Sequence, residues 1–180
     1  IMMSYLGDQT GVYRAMDKLG PATASSIAIE SQVDERYLLE WLSSNAARGY
    51  VTYDDDSQLF SLSPEQAAVF ARENEPTCIQ GLIQGVVGQF VNQDIAIDVF
   101  KTGRGRPWGE HHECCFCGTE RFFRPAYATH LLDEWIPAMA GVEEKLSKGA
   151  KVADIGCGLG TSSILMAENF PNSIIHAYDF

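Results

Sequence analysis

The stretch KVADIGCGLGTSSILMAENFPNSIIHAYDF, residues 151–180, limits the fold more than any other part of the chain. Val152 to Ile155 is the short apolar run a buried strand needs, and Gly156-Cys157-Gly158-Leu159-Gly160 follows it as a tight turn. Residues 161–170 read as a helix with Ile164, Leu165, Ala167 and Phe170 as its apolar positions. Pro171-Asn172 turns the chain, and residues 173–178 read as a second strand that ends at Asp179. Strand, glycine turn, helix, strand is a βαβ unit, so this end of the chain starts a parallel sheet.

The chemistry of such a turn is general. Glycines reach positive φ and let a ligand approach the backbone, and the following helix presents its first N–H groups. An acid closing the second strand can accept both hydroxyls of a ribose. Asp179 stands 19 residues after Gly160, where that acid is expected, so the spacing points to an adenosine-bearing cofactor. A dinucleotide fingerprint would read G-x-G-x-x-G/A; here the glycines are 156, 158 and 160, and the next residue is Thr161. Asp154, two residues before the first glycine, would also repel a pyrophosphate. Both features disfavour a nicotinamide cofactor and favour a cationic ligand such as S-adenosyl-L-methionine, which carries a sulfonium and an ammonium group.

The other end of the chain is helical. Residues 1–19 keep roughly helical apolar spacing, with Gly7 and Gly11 as soft points, and Gly20-Pro21 stops the run. Thr23 or Ser25 can cap a short helix to about Glu30, and Asp34 starts another whose face is Leu38, Trp41, Leu42 and Asn45 or Ala46. YVTYD and QLFSL, joined through Asp54-Asp55-Asp56-Ser57, read as a β-hairpin. Helix, turn, helix, hairpin is the order of a winged helix-turn-helix. Its usual work is DNA binding, but residues 1–75 hold five basic against twelve acidic residues, a net of −7, and the hairpin tip is three aspartates. The pattern is read as a packing and dimerisation module.

Between the two ends, residues 77–100 read as one helical stretch, with Gly81 and Gly85 spaced for close helix contact. Residues 101–109 read as a loop. Residues 126–147 read as a helix kinked at Pro137. His111, His112, Cys114, Cys115 and Cys117 crowd into seven positions. Zinc sites pair their ligands across loops and C-x-C closes a strained ring, so the favoured reading has neither metal nor disulfide, with a metal at these cysteines left open.

The whole chain has a net charge of −11 in 180 residues, which argues against nucleic acid or an anionic membrane as a partner. No apolar run reaches the roughly 18 residues of a membrane span. Five cysteines without framework spacing point to a reduced, cytoplasmic protein.

VADIGCGLGTSS with Asp179 resembles motif I and the ribose acid of class I S-adenosylmethionine-dependent methyltransferases. GPATASSIAIESQVDERYLLEWLSSNAARGYVTYD, FSLSPEQAAVFA, GTERFFRPAY and LLDEWIPAMAGVEEKLSKGAKVADIGCG extend the resemblance to the subgroup with an N-terminal winged-helix domain. The resemblance implies a mostly α chain. A winged-helix and dimerisation domain would fill residues 1–75, a helical linker and lid 76–148, and the first βαβ unit of a Rossmann-like methyltransferase domain 149–180. It implies that Gly156, Cys157, Gly158 and Gly160 pass under the cofactor, with Asp154 near its amino group. Asp179 would bind the ribose and Phe180 flank the adenine. His111, His112, Phe122, Phe123 and Tyr127 are implied as lid or substrate wall. The family's catalytic domain has about seven strands and this chain stops after two, so it reads as an N-terminal fragment, or as one whose missing strands another chain supplies. The implied activity is methyl transfer to a small-molecule acceptor by a homodimer, with no catalytic base assignable. The competing reading is a non-enzymatic dimerisation or regulatory module with a vestigial nucleotide-binding fold.

Overall fold

The computed structural model describes residues 1–179, and Phe180 lies outside the described residues. The chain packs as two compact units, Ile1–Val87 and Gly88 onward.

The first unit starts with α1 (Met2–Gln9) and α2 (Val12–Leu19), separated where Gly11 takes φ +75°. The single interrupted run of residues 1–19 is thus two helices, and only Gly11 acts as a soft point. Gly7 is a packing position inside α1. A Cβ there would lie 2.4 Å from Cζ2 of Trp41 and 2.6 Å from Cε2 of Tyr13. Only the missing side chain lets α1 come so close to α4 (Glu35–Ala46), where Trp41 also donates its indole N–H to the Met3 carbonyl at 2.8 Å.

Between them, α3 (Ala24–Ser31) is capped by Thr23, whose hydroxyl accepts from the Ser26 N–H, and α4 by Asp34, whose carboxylate accepts from the Tyr37 N–H. The buried face of α4 is Leu38, Trp41, Leu42 and Asn45, as its spacing predicts. Asn45 sits there because its amide donates back to the Trp41 carbonyl at 2.8 Å.

The hairpin is β1 (Thr52–Asp54) paired antiparallel with β2 (Leu59–Ser61), and Ala22 bridges to Phe60 on the other side. At its tip the Asp54 carboxylate accepts from the N–H groups of Ser57 and Asp56, which holds its carboxyl below the ordinary value. A capping box opens α5 (Pro64–Phe70), with Ser63 and Gln66 satisfying each other's backbone. Arg72, just past α5, makes two bonds to Asp17 of α2, at 2.9 and 3.0 Å. The core is Val12, Tyr13, Met16, Ile27, Leu38, Trp41, Leu42, Val51, Phe60 and Phe70 with smaller neighbours. Burial pushes the Tyr13 phenol up to about 12.

The stretch 77–100 is two helices, α6 (Gln80–Val91) and α7 (Gln93–Thr102), parted at Asn92. Gln80 anchors α6 by donating to the Phe70 carbonyl at 2.9 Å. Among the described residues, a methyl group added at Gly85 would meet nothing within 4 Å.

In the second unit a 3₁₀ turn (Trp108–Glu110) interrupts the expected loop, and α8 runs over Glu113–His130. This helix starts 13 residues earlier than the expected start at 126 and carries Pro125 within it. A π turn (Leu131–Trp135) and the short α9 (Ile136–Ala138) continue it. Pro137 falls in the first turn of α9, directly after the π turn. The break comes instead at Gly141, φ +74°, before α10 (Val142–Lys148).

The chain then forms β3 (Lys151–Ile155), α11 (Thr161–Asn169) and β4 (Ile174–Tyr178), with β3 and β4 parallel in register from Lys151↔Ile174 to Ile155↔Tyr178. This is the βαβ unit the sequence predicts. Ile136, Leu146 and Phe170 form its core with Val152 and Met166. Ser173 knits the corner: its hydroxyl donates to the Leu146 carbonyl and accepts from the Ala150 N–H. Ile155, Ile174 and Tyr178 are exposed.

Two glycine substitutions separate packing from propensity. Gly7→Ala is expected to cost about 1–3 kcal/mol by overpacking. Gly85→Ala is expected to be neutral or to stabilise by up to about 1 kcal/mol, since Ala is the better helix former. Urea unfolding of both variants checks this, and a harmless Gly7→Ala would contradict the described contact of α1 with Trp41.

Candidate functional site

The turn between β3 and α11 is built by three left-handed glycines: φ is +77° at Gly156, +57° at Gly158 and +80° at Gly160. Side chains at those angles are strained, which is why the turn is glycine-rich. The N–H groups of Gly156 and Cys157 both donate to the Tyr178 carbonyl, at 2.8 and 3.2 Å, and hold the turn over the end of β4. Gly160 stands at the N-cap of α11 and leaves that end without a side-chain cap.

Two carboxylates set the turn's shape. Asp154 projects from β3, and one of its oxygens accepts from the hydroxyls of Ser162 at 2.8 Å and Ser163 at 2.7 Å. A negative charge in the first turn of α11 also complements the helix dipole. Asp179, just after β4, accepts from the Gly158 N–H at 2.6 Å. Cys157 has its thiol beside the Gly158 carbonyl.

A cavity of about 600 Å³ opens on this turn. Gly156, Cys157, Gly158, Leu159, Thr161 and Asp179 form one side. The opposite side is Trp108 and Gly109 with one stripe of α8: Phe116, Thr119, Glu120, Phe123 and Tyr127. The intervals of three and four along α8 put these five on one helix face. Trp108 and Phe116 meet edge to face, 5.3 Å between centroids, and Phe123 and Tyr127 stack at 6.2 Å. Glu120 bridges the two sides, its carboxylate accepting from the Thr161 hydroxyl at 3.1 Å.

Of the residues singled out from the sequence, Gly156, Cys157, Gly158, Asp179, Phe123 and Tyr127 border the cavity. Gly160 and Asp154 are not among its lining residues. Phe122 lies beside Phe123, 5.2 Å between ring centroids, and is not in the cavity wall. Phe180 lies outside the described residues. His112 is the N-cap of α8, its Nδ1 accepting from the Cys114 N–H at 3.2 Å. His111 packs against Trp108 at 5.2 Å, and burial followed by the Arg106 charge pushes its imidazole below the ordinary value. Trp108, Phe116, Thr119 and Glu120 escaped the sequence reading. The i, i+3, i+4, i+7 pattern of Phe116, Thr119, Glu120 and Phe123 carried their signal once the helix is known to begin before them.

The cysteines occupy the first turns of α8. Cys114 and Cys115 are buried and Cys117 is exposed. Cys115 packs against Gly88, where a Cβ would come within 2.7 Å of its sulfur, and burial pushes its thiol up, away from the thiolate a metal requires. Among the described residues no three His, Cys, Asp or Glu side chains are grouped to hold a metal ion.

Residues 1–72 match the family model described as an Rv2258c-like winged HTH domain. No curated protein sequence matches the chain. Solved structures do. Human N-acetylserotonin methyltransferase in complex with SAM is 11% identical with a TM-score of 0.65, over 99% of this chain and 55% of that one. PigF with SAH is 14% identical with a TM-score of 0.63, over 98% of this chain and 62% of that one. The mitomycin 7-O-methyltransferase MmcR is 14% identical with a TM-score of 0.59, over 97% and 52%. The chain therefore has a winged helix-turn-helix domain at residues 1–72 and shares its fold with part of these methyltransferase structures, spanning 52–62% of their length.

Removing the Asp154 carboxylate breaks both serine bonds at once. Asp154→Ala is expected to cost about 1–3 kcal/mol and Asp154→Asn, which keeps an acceptor, less than half of that. Denaturant unfolding reads the difference, and an Asp154→Ala cost below about 0.5 kcal/mol would show that the carboxylate does not hold the turn.

Proposed function

We propose that the protein transfers a methyl group from S-adenosyl-L-methionine to a small-molecule acceptor. The observation that carries this reading is the cavity on the glycine turn, which Asp179 borders while accepting from the Gly158 N–H. The likeness of the fold to methyltransferase structures supports it.

The residues present fit such a cofactor. Asp179 is the acid for the ribose hydroxyls, and it exchanges the Gly158 N–H for them when the ligand enters. Gly156, Cys157 and Gly158 give a surface without bulky side chains under the ligand, with Gly160 closing the turn. Asp154 keeps the turn in shape through Ser162 and Ser163. The bound cofactor supplies an electrophilic methyl group on a sulfonium. The protein's part is to orient that group, keep water away from it with the rings of Trp108, Phe116, Phe123 and Tyr127, and hold an acceptor in line with it. Phe123 and Tyr127 are read as substrate wall, with Phe122, His111 and His112 supporting the segment from outside it.

The wider setting follows the same reading. The winged-helix domain works as a dimerisation module, since its net charge of −7 over residues 1–75 is unsuited to phosphates. Exposed Ile1, Met2 and Leu6 on and beside α1 offer an apolar face to a second copy. Among the described residues no helix is long and apolar enough to cross a membrane. A cytoplasmic setting is read from the sequence alone, from five cysteines without framework spacing.

Calorimetric titration with S-adenosylhomocysteine tests the reading. Saturable binding is expected, weakened about 10-fold or more in Asp179→Ala, the loss of hydrogen bonds to a charged acceptor. A folded protein that does not bind at millimolar ligand would favour the regulatory module instead.

A further inference from the structure

Two carboxylates stand in the cavity wall, and the ribose accounts for only one. Asp179 meets the glycine turn at Gly158, while Glu120 meets it at Thr161, one residue past Gly160. Glu120 reaches in from α8 with its side chain 15% exposed, accepts from the Thr161 hydroxyl at 3.1 Å, and has the Arg124 guanidinium 3.7 Å away. The wall around it is aromatic: Trp108, Phe116, Phe123 and Tyr127. A mostly buried carboxylate among ring faces is a site for a cation, since the charge and the ring quadrupoles both attract one. Asp154, the acid that the family resemblance implies for the cofactor's amino group, is absent from the cavity wall and has its Oδ2 engaged by Ser162 and Ser163.

We infer that Glu120 binds the α-ammonium group at the amino-acid end of S-adenosylmethionine, with the neighbouring rings facing the sulfonium. This rests on the cofactor reading above. A ligand with its ribose at Asp179 crosses the glycine turn, and its other end arrives at Thr161 and Glu120. Both cationic groups of the cofactor then lie on the acidic, aromatic side of the cavity.

The test compares S-adenosylhomocysteine with 5′-methylthioadenosine, which has the same adenosine and thioether but no amino-acid end. Glu120→Gln keeps an oxygen for the Thr161 hydroxyl and is expected to weaken S-adenosylhomocysteine about 10-fold or more, while methylthioadenosine changes less than about twofold. Thr161→Ala, which cuts the bridge and leaves the carboxylate, is expected to preserve the ratio of the two affinities. Equal weakening of both ligands in Glu120→Gln would mean that Glu120 only holds α8 to the turn. Unchanged binding of both would mean that it has no part in the site, and either result overturns the inference while the cofactor reading stands. A wild-type protein that binds neither ligand overturns both.

Discussion

One oxygen of Asp154 accepts from two serine hydroxyls in the first turn of α11, and the shape of the site depends on that contact. It joins β3 to the helix across a turn of three left-handed glycines, which have no side chains of their own to hold them. The Tyr178 carbonyl secures the turn's other side by accepting from Gly156 and Cys157. With both edges fixed, the Gly158 N–H faces Asp179, and the start of α11 presents Thr161 to Glu120. The carboxylate that the family resemblance brings near the cofactor thus also ties the turn to its helix.

The second half of the site is a helix that the sequence partly conceals. The βαβ unit was legible nearly to the residue because strand, glycine turn and apolar helix each carry a strong local signal. Asp34 was legible as a helix start and the face of α4 as a core stripe for the same reason, while the cap of α3 was legible only as Thr23 or Ser25, and it is Thr23. α8 was not. Its first turns hold histidine and cysteine, which invite a reading as ligands, and Pro125 stands where a helix start would be placed. The proline is tolerated inside α8, which continues to His130, and only with the helix in view do Phe116, Glu120, Phe123 and Tyr127 fall on one face. The misreading of Gly7 has a similar origin. A glycine in a helix reads as a weak point, and only the tertiary contact with Trp41 shows it to be a close approach.

The two units divide the physical work. The first is a helical core with a short hairpin, closed by caps and by the Arg72–Asp17 pair, and residues 1–75 carry a net charge of −7. The second combines a preformed turn with an aromatic helix face. Two of its acids, Glu120 and Asp179, border the same cavity as those rings, and a pyrophosphate there would meet like charge.

The most direct test of this account is a crystal structure of the protein with S-adenosylhomocysteine bound. The ribose hydroxyls should lie at hydrogen-bond distance, about 2.6–3.2 Å, from Asp179, with the ligand lying over Gly156 to Gly158 and against α8. Ligand bound elsewhere on the protein, with the cavity on the glycine turn empty, would contradict the account.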